Sequence, residues 1–175
     1  MAGDGTAVIR AATGDDLDAV AAIFGHYVTT SVATFEQVPP PVTHWQGMHA
    51  ELSSRGLPFL VAAADGAVVG YAYATPWRTK PAYRGTVEDS VYVAPGQTGR
   101  GVGRRLLRAL LDESQRAGVE QVIAVIADTG DPASVALHQS CGFVDAGRLR
   151  QVGRKQGRVL DTLLLQRRLR TDDAR

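Results

Sequence analysis

Apolar residues recur along this chain with two different periods, and the switches between them mark its elements. Leu17, Val20, Ala21 and Phe24 follow the spacing of one helix face, and Thr13 with Asp16 supplies the hydroxyl and carboxylate that cap free amides at a helix start. Pro39-Pro40-Pro41 interrupts the chain, after which Thr43 is predicted to cap a short helix with Trp45, Met48 and Leu52 on one side. Those bulky side chains are assigned to the core. The period then shortens to two: Phe59 to Ala64, the turn Asp65-Gly66, and Val68 to Thr75 predict a hairpin that Pro76 ends. Thr86 to Val93 predicts another strand, followed at once by a glycine-rich turn and a helix with Leu106, Leu107, Leu110 and Leu111 on one face, stopped by Gly118. Gln121 to Ile126 is nearly all apolar, as a strand covered on both faces should be. Asp131-Pro132 offers a cap and a first-turn proline to a helix that ends at Gly142. Phe143 to Val152 and Val159 to Arg167 predict two antiparallel strands joined through Gly153-Arg154-Lys155-Gln156-Gly157.

With an opening strand near Ile9, the order predicts an α/β fold with a central mixed sheet and helices on both faces. A length of 175 residues with 45% hydrophobic content predicts a single domain, its core running from about residue 8 to 168 and Thr171 to Arg175 frayed. Nineteen basic and 18 acidic side chains leave a net charge of +1, so no whole-molecule field draws in a nucleic acid or an anionic membrane, and any anion site must be local. The apolar runs Leu60 to Ala64 and Val122 to Ala127 fall far short of the roughly 20 residues that cross a bilayer. Met1 to Gly5 carries no export pattern and Ala2 no myristoylation signal, so a cytoplasmic location is expected. Cys141, the only cysteine, rules out an internal disulfide; beside Gly142 it reads as packing, with His138 keeping a nucleophile reading open. His26, His44 and His49 share no ligand spacing, so no metal site is expected.

The turn Gln97-Thr98-Gly99-Arg100-Gly101-Val102-Gly103 sits between a strand and a leucine-rich helix, where unpaired amides gather at a helix N-terminus and form an anion site. Glycines let a phosphate approach the backbone, and Arg100, Arg104 and Arg105 add charge around it. A plain strand-to-helix turn would explain the glycines as well. Two other phosphate motifs fail: a nucleotide-triphosphate loop needs Lys where Val102 stands, and a dinucleotide fingerprint needs a small residue where Leu106 stands.

Val91-Tyr92-Val93, this turn, and Ala136-Leu137-His138-Gln139-Ser140-Cys141-Gly142-Phe143 together resemble the cofactor motifs of the GNAT acetyltransferase superfamily. Trp77 to Tyr83, Thr86 to Val93, and Val152-Gly153-Arg154-Lys155 resemble, more narrowly, the phosphinothricin N-acetyltransferase family, and the likeness extends from about Ile9 to Gln166. The resemblance implies acetyl-CoA as cosubstrate and no metal. It implies that the strand ending at Val93 splays from the one at Gln121 to Ile126, with pantetheine bonded to backbone at Tyr92 and Val93, Val91 beside them in the cofactor site, and pyrophosphate on Thr98, Gly99, Arg100, Gly101, Val102, Gly103 and Arg104. Thr98 departs from the Gln or Arg usual in the family, which predicts weaker cofactor binding, and Asp131 replaces the common Asn, which makes helix capping its expected role.

Acetyl transfer needs a neutral amine, and so a group to take its proton. A mid-strand carboxylate such as Glu88 is either paired structurally or poised for that transfer. The resemblance implies the second role, directly or through water, with Asp89 on the opposite face as a control. An amide of Val91 or Tyr92 can meet charge developing on the carbonyl oxygen. His138 stands where many superfamily members carry a Tyr acid; acid, relay and structural roles stay open. The resemblance also implies an acceptor pocket built from Phe35, Arg78, Lys80 and Tyr83, the basic pair suited to an acidic amino-acid substrate; solvated charge is the alternative. Arg148, Arg150, Arg154, Lys155 and Arg158 make the last hairpin basic: an exposed face, a dimer contact, or charge at the acceptor mouth. Arg167, Arg168 and Arg170 are offset by Asp172 and Asp173, so a nucleic-acid tail is not expected. The expectation is an N-acetyltransferase for a small amine such as phosphinothricin, methionine sulfoximine or methionine sulfone, protecting the cell as a homodimer without nucleic-acid or membrane partners. Another small amine, a protein N-terminus, or a non-catalytic acetyl-CoA-binding module are the alternatives.

Overall fold

The computed structural model describes residues 6–169; the readings placed on Met1 to Gly5, on Thr171 to Arg175 and on the charges of Arg170, Asp172 and Asp173 lie outside them. The elements in chain order are β1 (Val8–Ala11), α1 (Leu17–Thr30), α2 (Val42–Ser54), β2 (Phe59–Ala64), β3 (Ala67–Pro76), β4 (Thr86–Val93), α3 (Val102–Arg116), β5 (Gln121–Ala127), α4 (Ala133–Ser140), β6 (Val144–Lys155) and β7 (Arg158–Arg168). They form a seven-stranded mixed sheet in the order β1-β2-β3-β4-β5-β7-β6. Only β4 and β5 are parallel neighbours; every other pair is antiparallel.

Alternation along the central strands sorts side chains into two cores. Phe59, Val61, Tyr71 and Tyr73 pack on one face with Leu17, Val20, Phe24 and Val28 of α1 and Trp45 and Leu52 of α2. Leu60, Ala62, Ala72 and Ala74 face the other way, where Leu106, Leu107, Leu110 and Leu111 of α3 cover them. Small residues under large ones bring α3 close to the sheet, and each buried leucine contributes about 1.5–3 kcal/mol.

Several boundaries differ from expectation. Thr13 opens a short 3-10 turn over Gly14–Asp16 before α1 begins. Asp16 accepts the Thr13 amide at 2.8 Å and pairs with Arg10 at 2.7 Å. Thr43 lies inside α2, whose preceding residue is Pro41; the fixed φ of proline makes the helix entry without a side-chain cap. The last hairpin turns over Gln156 and Gly157 alone, so Gly153, Arg154 and Lys155 belong to β6. Cys141 is buried in the α3–α4 core, consistent with packing.

Candidate active site

The site begins where the sheet opens. β4 and β5 pair only through Thr86–Gln121, Val87–Val122 and Glu88–Ile123, while β3 follows β4 to Val93 and β7 follows β5 to Ala127. Beyond Glu88 the inner edges of both strands are therefore without a ladder partner. At the two ends of the β3–β4 ladder, the Trp77 amide donates to Thr86 O (3.1 Å) and the Ala94 amide to Val69 O (2.9 Å). Even-numbered residues of β4 thus make the paired bonds to β3; the Asp89 amide closes the last parallel bridge to β5, and the Asp89 carbonyl with the N–H and C=O groups of Val91 and Val93 face the gap. Of these, the Val93 carbonyl accepts a hydrogen bond from the Tyr27 hydroxyl. Buried backbone groups need partners, so an extended ligand bearing amides is the complement of this gap. The backbone of Tyr92 is not free for the contact expected of it, because its amide and carbonyl belong to the pair with Tyr71; of the three residues expected at the cofactor, Val91 and Val93 face the gap. An amide of Tyr92 is likewise not free to meet an oxyanion.

A cavity of about 520 Å³ fills the opening. Its walls include Glu88, Val91, Tyr92 and Val93 of β4, Ala124 to Ala127 of β5, Leu137 and His138 of α4, Thr34 and Phe35 of the α1–α2 segment, and Thr98 of the glycine turn. Beyond Thr98 the turn continues outside the cavity wall. Gly99 and Gly101 take φ of 76° and 77°, a conformation that side chains disfavour, and Gly101 precedes α3 without a side-chain cap. The first amides of α3 are thus presented outward. Arg100 and Arg104 are exposed beside them, Arg104 donating to Ser140 Oγ at 3.3 Å; the Val102 side chain is core, leaving only its backbone for a ligand. Asp131, also on the cavity wall, accepts the Ala133 amide at 2.9 Å and so caps α4.

Glu88 stands at the point where the strands part, half-buried on the face that carries Tyr73 and Tyr92. Burial raises its carboxyl above the usual range, the charge of Asp89 adds to the shift, and Arg78 opposes it. The shift makes Glu88 a stronger proton acceptor than an exposed carboxylate.

Asp89 does face the opposite side of the sheet, but it is not the inert control the sequence suggested. Its Oδ2 lies 2.9 Å from His138 Nε2, with the side chains 1% and 6% exposed. The other ring nitrogen, Nδ1, is 2.7 Å from the Ser134 carbonyl. A carbonyl only accepts, so Nδ1 carries a proton; an ionised carboxylate only accepts too, so the pair holds one proton more than a neutral imidazole beside a carboxylate. Burial pulls the imidazole pKa down, yet the hydrogen bond and charge of Asp89, with Ser134, outweigh it and leave the pKa raised. Asp89 Oδ1 is buried without a partner among the described residues. Both ring nitrogens of His138 are thus engaged, Nδ1 by Ser134 and Nε2 by Asp89. Strand parity alone put Asp89 on the α4 face; a carboxylate there with a histidine on the following α4 was the signal for this pair.

The remaining acceptor residues are not all brought together. Phe35 reaches the cavity, whereas Arg78, Lys80 and Tyr83 are exposed outside its lining, and Arg78 stacks on Trp77 at 4.5 Å from the ring centroid. Their strand-end position keeps only Arg78 close enough for its charge to be felt at Glu88. The basic hairpin is largely spoken for: Arg148 pairs with Asp128 and Asp161, Arg158 donates to Thr129 O, and Lys155 is buried.

Comparison with known proteins places this geometry. The chain is 48% identical over 165 residues to a phosphinothricin N-acetyltransferase of Alcaligenes faecalis, covering 94% of this chain and 84% of that protein. It is 38% identical to an L-methionine sulfoximine/L-methionine sulfone acetyltransferase of Pseudomonas aeruginosa over 92% of this chain and 94% of the relative. Among solved structures, a GNAT superfamily phosphinothricin acetyltransferase from Sinorhizobium meliloti in complex with AcCoA superposes with a TM-score of 0.89 at 40% identity, covering 94% and 89% of the two chains. A ribosomal-protein-alanine N-acetyltransferase from Brucella melitensis also gives 0.89 at 40%, covering 93% and 99%. With residues 20–143 matching the family as a whole, and the split between β4 and β5 leading into an uncapped glycine turn, the chain belongs to the acetyltransferase (GNAT) family.

Proposed function

We propose that this protein transfers the acetyl group of acetyl-CoA to the amino group of a small amino-acid-like acceptor such as phosphinothricin, methionine sulfoximine or methionine sulfone. The observation that carries this reading is Glu88, a half-buried carboxylate with a raised pKa on the cavity wall at the fork of β4 and β5. The gap suits acetyl-CoA: backbone groups at Val91 and Val93 match the amides of a pantetheine arm, and the outward amides from Gly99 to Arg104, with the charges of Arg100 and Arg104, match a pyrophosphate. Bound there, acetyl-CoA supplies the activated acyl group. Glu88 accepts the proton of the acceptor amine, directly or through one water, and the amide of Val91 is placed to meet negative charge at the head of the gap. Asp89 and His138 hold a proton on the other side, and Phe35 gives the acceptor an apolar wall. Arg78, Lys80 and Tyr83 are assigned to the outer rim, where the basic pair draws in an anionic acceptor.

The same reading includes a cytoplasmic enzyme that protects the cell from such amines and acts as a homodimer. Val144, Leu149 and Val152, exposed along the edge strand β6, support the last point. A protein N-terminus as acceptor is the second reading, favoured by the likeness to the Brucella melitensis structure. Thiol release from acetyl-CoA is the test, with phosphinothricin, methionine sulfoximine, methionine sulfone, spermidine and an alanine-initiated peptide as acceptors. Release with the first three supports the proposal, release with the peptide alone supports the second reading, and binding of acetyl-CoA without release from any amine refutes both.

A further inference from the structure

Lys155 is a cation in the wrong place for a solvated hairpin. The residue is 5% exposed, and its Nζ donates to the Thr34 carbonyl at 2.9 Å across the molecule. Burial lowers its pKa, and the charge of Glu36 opposes that shift. Removing an ammonium from water is costly, so this position must be held by what it fixes.

Gly153 shows what that is. It lies on the same side of β6 as Lys155, and a Cβ built there would fall 2.3 Å from Cε2 and Cζ of Phe35. The phenyl ring therefore rests directly on the Gly153 backbone, an approach that no other residue permits. Gln156 adds a third tie, its Nε2 donating to Thr29 O at 3.4 Å. A bulge aims the hairpin tip at these partners. The β6–β7 register shifts between Leu149 and Gly153, Gln151 adopts φ 56°, and its amide is held by Asp161 Oδ1 at 2.7 Å. Before the bulge β6 is exposed throughout; after it, Gly153 and Lys155 are buried.

Thr34 and Phe35 are the cavity wall beside Glu88. We propose that Lys155 and Gly153 are positioning residues for the acceptor: the β6–β7 tip latches the α1–α2 segment, and so sets the shape of the acceptor wall from the far end of the chain. This rests on the function proposed above. The latch bears on the acceptor more than on acetyl-CoA, because Thr34 and Phe35 stand in the shared cavity beside Glu88, whereas the backbone groups offered to the cofactor belong to β4 and the start of α3.

Lys155→Met keeps the length of the stem and removes the donor; Lys155→Arg restores a donor; Gly153→Ala displaces the phenyl ring. Steady-state kinetics with methionine sulfoximine and acetyl-CoA, and hydrogen–deuterium exchange of the free protein, read the result. Lys155→Met and Gly153→Ala are expected to raise KM for methionine sulfoximine about tenfold or more, with KM for acetyl-CoA within twofold and Lys155→Arg recovering part of the loss. Amides of residues 31–36 should lose protection in Lys155→Met while those of β4 keep theirs. Unchanged KM for the acceptor, or equal rises for both substrates, overturns the proposal. Should the wild-type chain release no thiol with any amine, the proposed function falls, while unchanged protection at residues 31–36 still overturns the latch by itself.

Discussion

Removing the carboxylate of Asp89 should cost more than removing that of its neighbour Glu88, although Glu88 is the residue placed at the chemistry. Asp89→Ala leaves the imidazole of His138 buried with Nδ1 on the Ser134 carbonyl and nothing opposite Nε2. Breaking a buried pair in this way costs about 3–5 kcal/mol, a large part of the roughly 5–15 kcal/mol that stabilises a domain. At about 2–4 °C per kcal/mol for a chain of this size, the melting temperature should fall by roughly 6–20 °C. The pH dependence carries a sign. His138 has a raised pKa in the folded protein, so its contribution is complete below its unfolded value and is lost as pH rises through the folded one. In Asp89→Ala burial dominates, and protonation of the imidazole then destabilises the fold. The gap in melting temperature between wild type and variant should therefore widen as pH falls from about 8 to about 6, bracketing the ordinary histidine value. Circular-dichroism melts across that range are the assay, and Asp89→Asn, which offers Nε2 an amide instead, should lose less. A variant melting within about 2 °C of wild type, or a gap indifferent to pH, would refute the proton-holding pair.

Glu88→Gln should lower kcat by about 10²–10⁴, leave KM for acetyl-CoA unchanged, and flatten the acidic limb of the pH–rate profile, which in wild type lies above the usual carboxylate range because the Glu88 pKa is raised; retained turnover contradicts the base assignment. At the other end of the sheet, the Arg10 guanidinium holds the Asp16 carboxyl down to about 2, helped by the Thr13 amide and hydroxyl against the cost of burial. This depressed pKa stabilises the fold above the unfolded carboxyl value and ceases to as pH falls through about 2, so Asp16→Asn should lower stability at neutral pH and weaken its loss on acidification; parallel acid titrations of the two proteins would exclude it.

The strands and helices were legible because burial repeats with the backbone period: Leu106, Leu107, Leu110 and Leu111 can only be one face of a helix, and Phe59 to Ala64 with Val68 to Thr75 only a hairpin about Asp65-Gly66. The glycine turn was legible too, since positive φ at Gly99 and Gly101 is a local requirement that residue type alone satisfies. Parity along β4 assigned Glu88 and Asp89 to opposite faces. What each face meets was a tertiary decision. Asp89 finds His138, 49 residues later, because α4 crosses the sheet above it. Lys155 finds Thr34, 121 residues earlier, because a bulge at Gln151 turns the hairpin inward. Local pattern could read the basic hairpin only as surface charge, and could not tell which cation leaves water. The order of the elements, the two faces of each strand and the phosphate-sized turn follow from interactions within a few residues, and so could be read from the chain alone. Where β4 parts from β5, which backbone groups that exposes, and which buried charges find partners depend on contacts between segments far apart in the chain, and came only with the folded arrangement.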